Sequence, residues 1–244
     1  MILELSEVEN MDSIYTNGKY LETTQTWHAE DSPWKADQLI KFIRKNRLHP
    51  KTIAEIGCGV GAILDELSKK EYLIDVQFTG YDISPQAIER AKHQGSASVR
   101  YLNEDLLLET NTNHFDVLLV IDVFEHIPDY LGFLEKCRFK AEFKIFHIPL
   151  DIHISSVLRN AFIGNRHTLG HLHYFTADSA IATLEDTGHE IMNYAYTNAA
   201  VGLFNQHPSM KKAVANIPRW LFSRFSVPFT ARVFGGYSLL VLTK

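Results

Sequence analysis

The stretch Thr52–Leu67, TIAEIGCGVGAILDEL, decides the fold. Its first five residues are mostly apolar and β-branched, which predicts a short strand buried on both faces. Three glycines come next, Gly57, Gly59 and Gly61, and then apolar residues at helical spacing. Glycines let the backbone turn sharply and approach a ligand closely, while a helix start offers unpaired N–H groups and a partial positive charge. The stretch therefore predicts a strand, a glycine turn and a helix that form a nucleotide-type site.

The glycine turn alone does not identify the ligand, because Gly57, Gly59 and Ala62 also satisfy the dinucleotide-binding fingerprint. Glu55 is the first discriminator. A carboxylate buried at the end of an apolar strand is unfavourable without a partner. A cationic group such as an amino-acid ammonium would supply that partner, whereas a pyrophosphate would be repelled. The alternative is that Glu55 accepts hydrogen bonds from local backbone N–H groups.

Two further carboxylates stand just past predicted strand ends. Asp82 comes after the second strand, where a parallel sheet would place it beside the glycine turn and let it accept two hydrogen bonds from a ribose diol. Capping the next helix is the alternative for Asp82, although Ser84 already fills that position. Asp105 comes after the third strand and can accept from an exocyclic amine, with Leu106 covering one face of a base. A lone loop aspartate is more often a turn residue.

The rest of the chain alternates strands and helices with three interruptions. Residues 1–32 are polar with scattered aromatics and read as an N-terminal lid, ahead of one domain at 33–244. Segments 150–175, rich in histidine, and 205–235, aromatic and basic, are interpreted as insertions on the substrate side. Strands beyond the first are predicted at 76–81, 99–102, 115–121, 143–148, 189–196 and 237–242.

The composition of the chain, 244 residues with 45% hydrophobic and 22% charged, is that of one globular α/β domain. No signal peptide and no apolar run of about 18 residues is visible, so no integral membrane segment is expected. Two cysteines provide no disulfide framework, which predicts a cytoplasmic location.

The net charge of −5 argues against a nucleic-acid partner. Charge is distributed unevenly, because no Asp or Glu occurs after Glu190 while six Lys and Arg remain. This tail could face an acidic partner or a membrane surface, or be an ordinary basic face packed on an acidic body.

In combination, these motifs resemble those of the class I S-adenosylmethionine-dependent methyltransferases. The most specific block is Asp122-Val123-Phe124-Glu125-His126-Ile127, which is similar to the D-V-x-E-H-I motif of the quinone-biosynthesis O-methyltransferases. The resemblance covers roughly residues 33–148. It also rests on E-x-G-x-G-x-G at 55–61, D-x-S at 82–84 and N-x-D-L at 103–106.

The resemblance implies a three-layer, Rossmann-like, doubly wound α/β fold. Its sheet would have seven strands with the last one antiparallel, an N-terminal helical lid and an insertion after strand five. The implied cofactor is S-adenosyl-L-methionine. By position, its methionine part would be held by Glu55, Gly57, Cys58, Gly59, Gly61, Ile121 and Asp122, its ribose by Asp82, and its adenine by Ile83, Asp105 and Leu106.

The implied activity is methyl transfer to an oxygen or nitrogen of a small-molecule acceptor, hydrophobic or acidic in character, by a chain that could form a homodimer. A hydroxyl or protonated amine acceptor requires a base near neutral pKa, and histidine is the natural choice. His126 is the first candidate, followed by His28, His147 and His171. Two alternatives stay open: an NAD(P)-dependent oxidoreductase, and a non-catalytic module that binds the cofactor without turnover.

The histidines also suggest a metal site. His171 and His173, on a predicted strand, would project both rings to one face, and three further histidines lie nearby in sequence: His147, His153 and His167. No cysteine or carboxylate stands beside them at a recognisable ligand spacing. We therefore expect no metal.

Overall fold

The computed structural model describes residues 29–204 and 208–244. The predicted lid up to residue 28, and with it the candidate base His28, lies outside the described residues. Residues Ala29–Asp31 form a 3-10 turn that leads into the first helix.

A seven-stranded mixed sheet is the centre of the described structure, in the order β3-β2-β1-β4-β5-β7-β6. Neighbouring strands from β3 to β5 are parallel, and β7 is antiparallel to both β5 and β6. The predicted α/β sheet with an antiparallel last strand is therefore confirmed. The strands are β1 Thr52–Ile56, β2 Gln77–Tyr81, β3 Val99–Leu102, β4 Phe115–Ile121, β5 Ala141–Pro149, β6 Ile191–Thr197 and β7 Ser238–Thr243.

Helices cover both faces of this sheet. Helices α1 to α3 pack through one apolar cluster and α4, α7 and α10 through the other, with the buried strand β4 contributing to both. This gives the predicted three layers. The helices are α1 Ser32–Lys45, α2 Ala62–Ser68, α3 Pro85–Gln94, α4 Tyr130–Cys137, α5 Ile154–Leu158, α6 Ala161–Thr168, α7 Ala177–Asp186, α8 Ala199–Gly202, α9 Met210–Ser223 and α10 Val227–Phe234.

Both predicted insertions contain helices that the sequence pattern did not predict. Segment 150–175 holds α5 and α6, and the described part of 205–235 holds α9 and α10. Helices α5 and α6 have five and eight residues, too few for a hydrophobic period to show in the sequence. Across the described residues, every helix is too short or too polar to cross a bilayer.

Candidate functional site

The carboxyl ends of the parallel strands open into a cleft of about 810 Å³. It lies where the strand order reverses between β1 and β4, the position at which open α/β sheets bind ligands. The start of α1 and the segment after β5 complete its walls. Residues predicted to bind the cofactor that line the cleft are Glu55, Gly57, Cys58, Gly59, Asp82, Ile83, Asp105, Leu106, Ile121 and Asp122.

The glycine turn forms the floor of the cleft. Gly57 and Gly59 have φ angles of 69° and 54°, a region that side chains disfavour. The N–H groups of Gly57 and Cys58 donate to the Tyr81 carbonyl at 2.9 and 3.1 Å, which ties the turn to the end of β2. A Cβ at Gly57 would approach a Val123 methyl to 2.8 Å. The close backbone approach expected from the sequence therefore has a packing reason.

Gly61 lies outside the cleft lining, contrary to the prediction that it holds the cofactor. Its φ of 79° starts α2, and its carbonyl accepts from the Tyr101 hydroxyl at 3.1 Å. A Cβ at Gly61 would collide with the buried Tyr101 ring. The requirement for glycine here is therefore explained by the turn, which closes against this ring.

Asp82 braces the glycine turn. Its two carboxylate oxygens accept from the N–H groups of Gly59 and Ser84, both at 2.8 Å. The Ser84 hydroxyl caps α3 by accepting from Ala87, so the capping role belongs to serine. Burial raises the pKa of Asp82, and the two backbone hydrogen bonds oppose that rise. Each oxygen can accept a second hydrogen bond, which leaves capacity for a diol in the cleft.

Glu55, at the end of β1, is a buried carboxyl that lacks a hydrogen-bond partner on one oxygen, Oε2, within the described structure. Burial raises its pKa to about 8, although the positive charge of Lys35 acts in the opposite direction. A cationic ligand group beside Glu55 would satisfy this oxygen and favour the charged form.

Lys35 joins the site although sequence reasoning did not select it. Its ammonium lies 2.8 Å from Asp122 Oδ2, while His147 Nδ1 lies 2.6 Å from Oδ1. Burial alone would raise the pKa of Asp122, but the positive charges of His147 and Lys35 outweigh it and hold that pKa well below its usual range. Asp122 has a φ of 54°, a strained conformation of the kind found at functional sites.

A signal for Lys35 was present in the sequence. It stands four residues before Leu39 and seven before Phe42, so it shares the buried face of α1. A lysine on an apolar helical face requires an acidic partner, and that partner comes from the end of a distant strand.

The part of the cleft next to β2 and β3, where the adenine was predicted to bind, has one exposed and one buried apolar residue. Ile83 is 44% exposed in the cleft wall, whereas Leu106 is buried, as is Ile121 at the end of β4. Asp105 Oδ1 accepts from the Leu107 N–H at 2.8 Å, so Asp105 does have the turn role that was the alternative. It also lines the cleft, and its second oxygen is the one left for a ligand amine.

At the other end of the cleft, Glu125, His126 and His171 bring their donor atoms within 4.8 Å of one another. In both histidines, a hydrogen bond at Nδ1 fixes the orientation of the ring. His126 Nδ1 lies 3.1 Å from the Gly170 carbonyl, and His171 Nδ1 lies 2.6 Å from Asp151 Oδ2. His126 Nε2 thereby faces Glu125 Oε1 at 3.9 Å. The two predicted histidines therefore belong to one cluster, which also contains Glu125.

Comparison with known proteins agrees with this geometry. A methyltransferase domain family matches residues 54–141. The chain is 24% identical over 136 residues to the ubiquinone biosynthesis O-methyltransferase of Haemophilus ducreyi, covering 49% of this chain and 56% of that protein. The protein of the same name from Idiomarina loihiensis is 25% identical over 179 residues, covering 68% of this chain and 71% of the relative. The chain thus spans little more than half the length of the first of these relatives.

A solved structure extends the likeness across the fold. The plantazolicin methyltransferase BpumL, in complex with a monoazolic desmethylPZN analog and SAH, aligns with a TM-score of 0.61 at 15% identity, covering 96% of this chain and 92% of that one. Together these matches support a class I S-adenosylmethionine-dependent methyltransferase.

Glu125 is the most strongly perturbed group of the cluster that it forms with His126 and His171. The side chain is fully buried, and neither carboxylate oxygen finds a hydrogen-bond partner within the described residues. Burial raises its pKa well above the usual value, and the negative charge of Asp122 raises it further. An unsatisfied buried acid beside two oriented imidazoles is a group that a ligand would complete.

Two kinds of ligand fit this donor set. One is an acceptor whose hydroxyl or amine hydrogen-bonds to the cluster. The other is a divalent cation, because histidine ligands of metals are held from behind by carboxylates or carbonyls in this manner. Glu125, His126 and His171 would hold such an ion, which would polarise an acceptor oxygen. The expectation of no metal stays a prediction.

The metal set weighed from the histidines alone does not form among the described residues. His171 and His173 do not lie on a strand, because residues 170–176 have no regular structure. His173 Nε2 lies 3.0 Å from the Ile127 carbonyl instead, and His153 caps α5. Glu125 was visible in the 122–127 block, but its closeness to His171 depends on how segment 150–175 returns to the cleft.

Proposed function

We propose that this chain transfers a methyl group from S-adenosyl-L-methionine to an oxygen or nitrogen of a small-molecule acceptor. One observation carries the proposal: a single cleft joins the carboxylates at the ends of β1, β2 and β3 to the cluster of Glu125, His126 and His171. A cofactor site and an acceptor site are thus continuous.

Each carboxylate has a distinct task at the cofactor end. Asp82 binds the ribose hydroxyls with the lone pairs that Gly59 and Ser84 leave unused. Glu55 binds the ammonium, which supplies the positive partner that its buried oxygen lacks. Asp105 accepts from the adenine amine, beside Ile83. This assignment is supported by the position of all these residues in the cleft lining.

The residues at the acceptor end accept the proton that the methyl acceptor loses. When bound, the cofactor supplies a methyl group on a positively charged sulfur, and a dry apolar site favours the loss of that charge. His126 takes the proton that leaves the acceptor hydroxyl or ammonium, through Nε2. Glu125 Oε1 lies 3.9 Å from that nitrogen, and because burial raises the pKa of Glu125, its protonated carboxyl can hydrogen-bond to the acceptor. His171, fixed by Asp151, hydrogen-bonds to the acceptor.

Calorimetric titration of the purified chain with S-adenosylhomocysteine tests the cofactor half. We expect Asp82→Asn to weaken binding about 100-fold, since a charge-assisted pair of bonds is lost. Asp116→Asn is the matched control: Asp116 also accepts from two backbone N–H groups, but at the amino end of β4. Equal losses in the two variants, or no binding by the wild type, would contradict the assignment.

Transfer of labelled methyl groups to a panel of phenols, catechols and amines tests the acceptor half. An active acceptor should lose most of its turnover with His126→Asn, while the affinity for S-adenosylhomocysteine stays within about threefold of wild type. Binding without transfer to any acceptor would support the non-catalytic module instead. Turnover that disappears with a chelator and returns with a divalent ion would assign a metal to the cluster.

A further inference from the structure

Helix α9 exposes a continuous apolar stripe. Its members are spaced by three and four residues along the helix, and Phe225 continues them just beyond its end. Their exposed fractions range from 46% to 86%, whereas α1, which is equally long, buries its apolar stripe. The stripe, named here the α9 stripe, consists of Met210, Val214, Ile217, Leu221 and Phe225.

The opposite side of α9 is already fixed to the body of the protein. Asn216 donates to the Ala200 carbonyl at 2.7 Å, and Arg219 donates to the carbonyls of Gly235 and Phe234 at 2.9 and 2.8 Å. The helix is therefore held with its apolar stripe outward. Rotation into the core would break these three contacts.

The charged residues of the segment that carries the α9 stripe are all positive. Between residues 208 and 226 the chain has two lysines and two arginines and no acidic residue, and of these Arg219 is on the side that faces the body. The same one-sided composition extends from residue 191 to the end. The Arg224 guanidinium lies 3.9 Å from the centre of the Trp220 ring, and Trp220 is half exposed beside the stripe. Exposed tryptophan with arginine is typical of side chains at a membrane interface.

We propose that α9 is an in-plane membrane-docking helix that binds a bilayer containing anionic lipids. Charge complementarity favours an anionic bilayer over a second copy of the chain. A two-fold contact between copies of the chain would bring equal positive charges together, with no acidic residue in the segment to pair with them. An anionic lipid surface matches both the apolar stripe and the basic residues around it.

Docking here would place the cleft beside the bilayer. Helix α8 is hydrogen-bonded to Asn216 of α9 and contributes Ala199 to the cleft wall. Gly236, which also lines the cleft, directly follows Gly235, whose carbonyl accepts a hydrogen bond from Arg219. An acceptor with a lipophilic tail could reach the cleft from the membrane. This route for the acceptor rests on the proposed function, whereas membrane docking itself does not.

Co-sedimentation of the full chain with vesicles tests docking without any cofactor. We expect binding to vesicles of phosphatidylglycerol and phosphatidylcholine, at least tenfold weaker binding to phosphatidylcholine alone, and weakening by salt. Ile217→Glu should reduce binding at least tenfold. Phe139→Glu is the matched control, since Phe139 is 70% exposed before the start of β5, at the sheet edge opposite the cleft.

Trp220 gives a second readout. Its fluorescence should shift to shorter wavelength with the anionic vesicles, and the shift should be absent in Trp220→Phe. Absence of wild-type binding at low salt, or equal losses in Ile217→Glu and Phe139→Glu, would overturn the proposal, as would a dimer in sedimentation analysis that Ile217→Glu dissociates. Affinity for S-adenosylhomocysteine, measured for Ile217→Glu, separates failure of docking from failure of the cofactor site.

Discussion

The two ends of the cleft are built in different ways. At the cofactor end, each carboxylate lies at or just past the end of its own strand, and the strands β1, β2 and β3 are neighbours connected by single crossovers. At the acceptor end, the groups come from the segment after β4 and from the segment after β5. The first end is encoded in short local motifs, whereas the second depends on contacts between distant parts of the chain.

Their electrostatics differ as well, with Glu55 as the exception. At the cofactor end, Asp82 accepts backbone hydrogen bonds from Gly59 and Ser84, and Asp105 accepts one from Leu107, whereas Glu55 Oε2 has no partner among the described residues. Glu125 at the acceptor end has no such partner among the described residues, and burial raises its pKa. Backbone N–H groups satisfy the two aspartates that follow β2 and β3, whereas the two buried glutamates, Glu55 and Glu125, depend on a ligand.

The sharpest test of this contrast replaces one glycine at each end by alanine. Gly61→Ala should destabilise the protein by about 3 kcal/mol, because it combines a left-handed φ with overpacking against a buried ring. Gly164→Ala, in α6 of the segment after β5, meets nothing within 4 Å and should be neutral or stabilising by up to about 1 kcal/mol. Urea unfolding of both variants measures the difference.

Tyr101 explains why the first change is severe. Its hydroxyl donates to Gly61 and to Asp65, and its ring also lies where a Cβ at Gly80 or Gly95 would stand. The ring has no space to move into. A loss below about 1 kcal/mol for Gly61→Ala would mean that the cofactor end is looser than its packing indicates.

The cofactor end was largely predictable from the sequence. The bounds of β1, β3 and β4 coincide with the predicted ones, because each is a short apolar run closed by polar residues. Once three parallel strands are in place, the residues just past their ends must meet at one edge of the sheet. Gly61 was the exception, since the sequence does not indicate which glycine faces a ligand and which faces a ring.

The acceptor end was predicted only in part. His126 and His171 were selected by residue type, but their meeting with Glu125 depends on backbone bonds from Leu172 and His173 to the Glu125 carbonyl. The apolar face of α1 indicates that Lys35 needs an acidic partner, but only the tertiary packing identifies that partner as Asp122. Helices α9 and α10 lie behind the cleft wall, and none of residues 208–235 lines it, although this segment was interpreted as facing the substrate.

A pH series sharpens the comparison at the cofactor end. The folded-state pKa of Glu55 is about 8, so the carboxyl is largely protonated below that pH, whereas an ammonium ligand favours the carboxylate. Ligand binding should therefore release a proton. We expect affinity for S-adenosylhomocysteine to increase about tenfold between pH 6.5 and 7.5, equivalent to about 1.4 kcal/mol, by calorimetry.

Glu55→Gln provides the control for this titration, because glutamine has no proton to release. Its affinity should be weaker at pH 7.5 and nearly flat across the series. A wild-type affinity that is also flat would place the ammonium elsewhere in the cleft and remove the charge argument for Glu55.

The smallest effect is expected from Glu125→Gln at the acceptor end. Because burial raises the folded-state pKa of Glu125, the folded protein binds a proton that the unfolded chain releases once the pH exceeds the ordinary value of 4.5. Wild-type stability should therefore fall as the pH rises from 5 to 8. Glutamine removes this loss, so the variant should equal wild type near pH 5 and exceed it by about 1 kcal/mol at pH 8.

Thermal unfolding at the two pH values measures this crossover. Glu89→Gln is the control, because Glu89 is an exposed glutamate on α3 and should show no such dependence. A variant less stable than wild type at pH 8 would mean that the Glu125 carboxylate is satisfied in the free protein, as by a cation held with His126 and His171. The acceptor end would then be complete before any acceptor binds, and the contrast with the cofactor end would disappear.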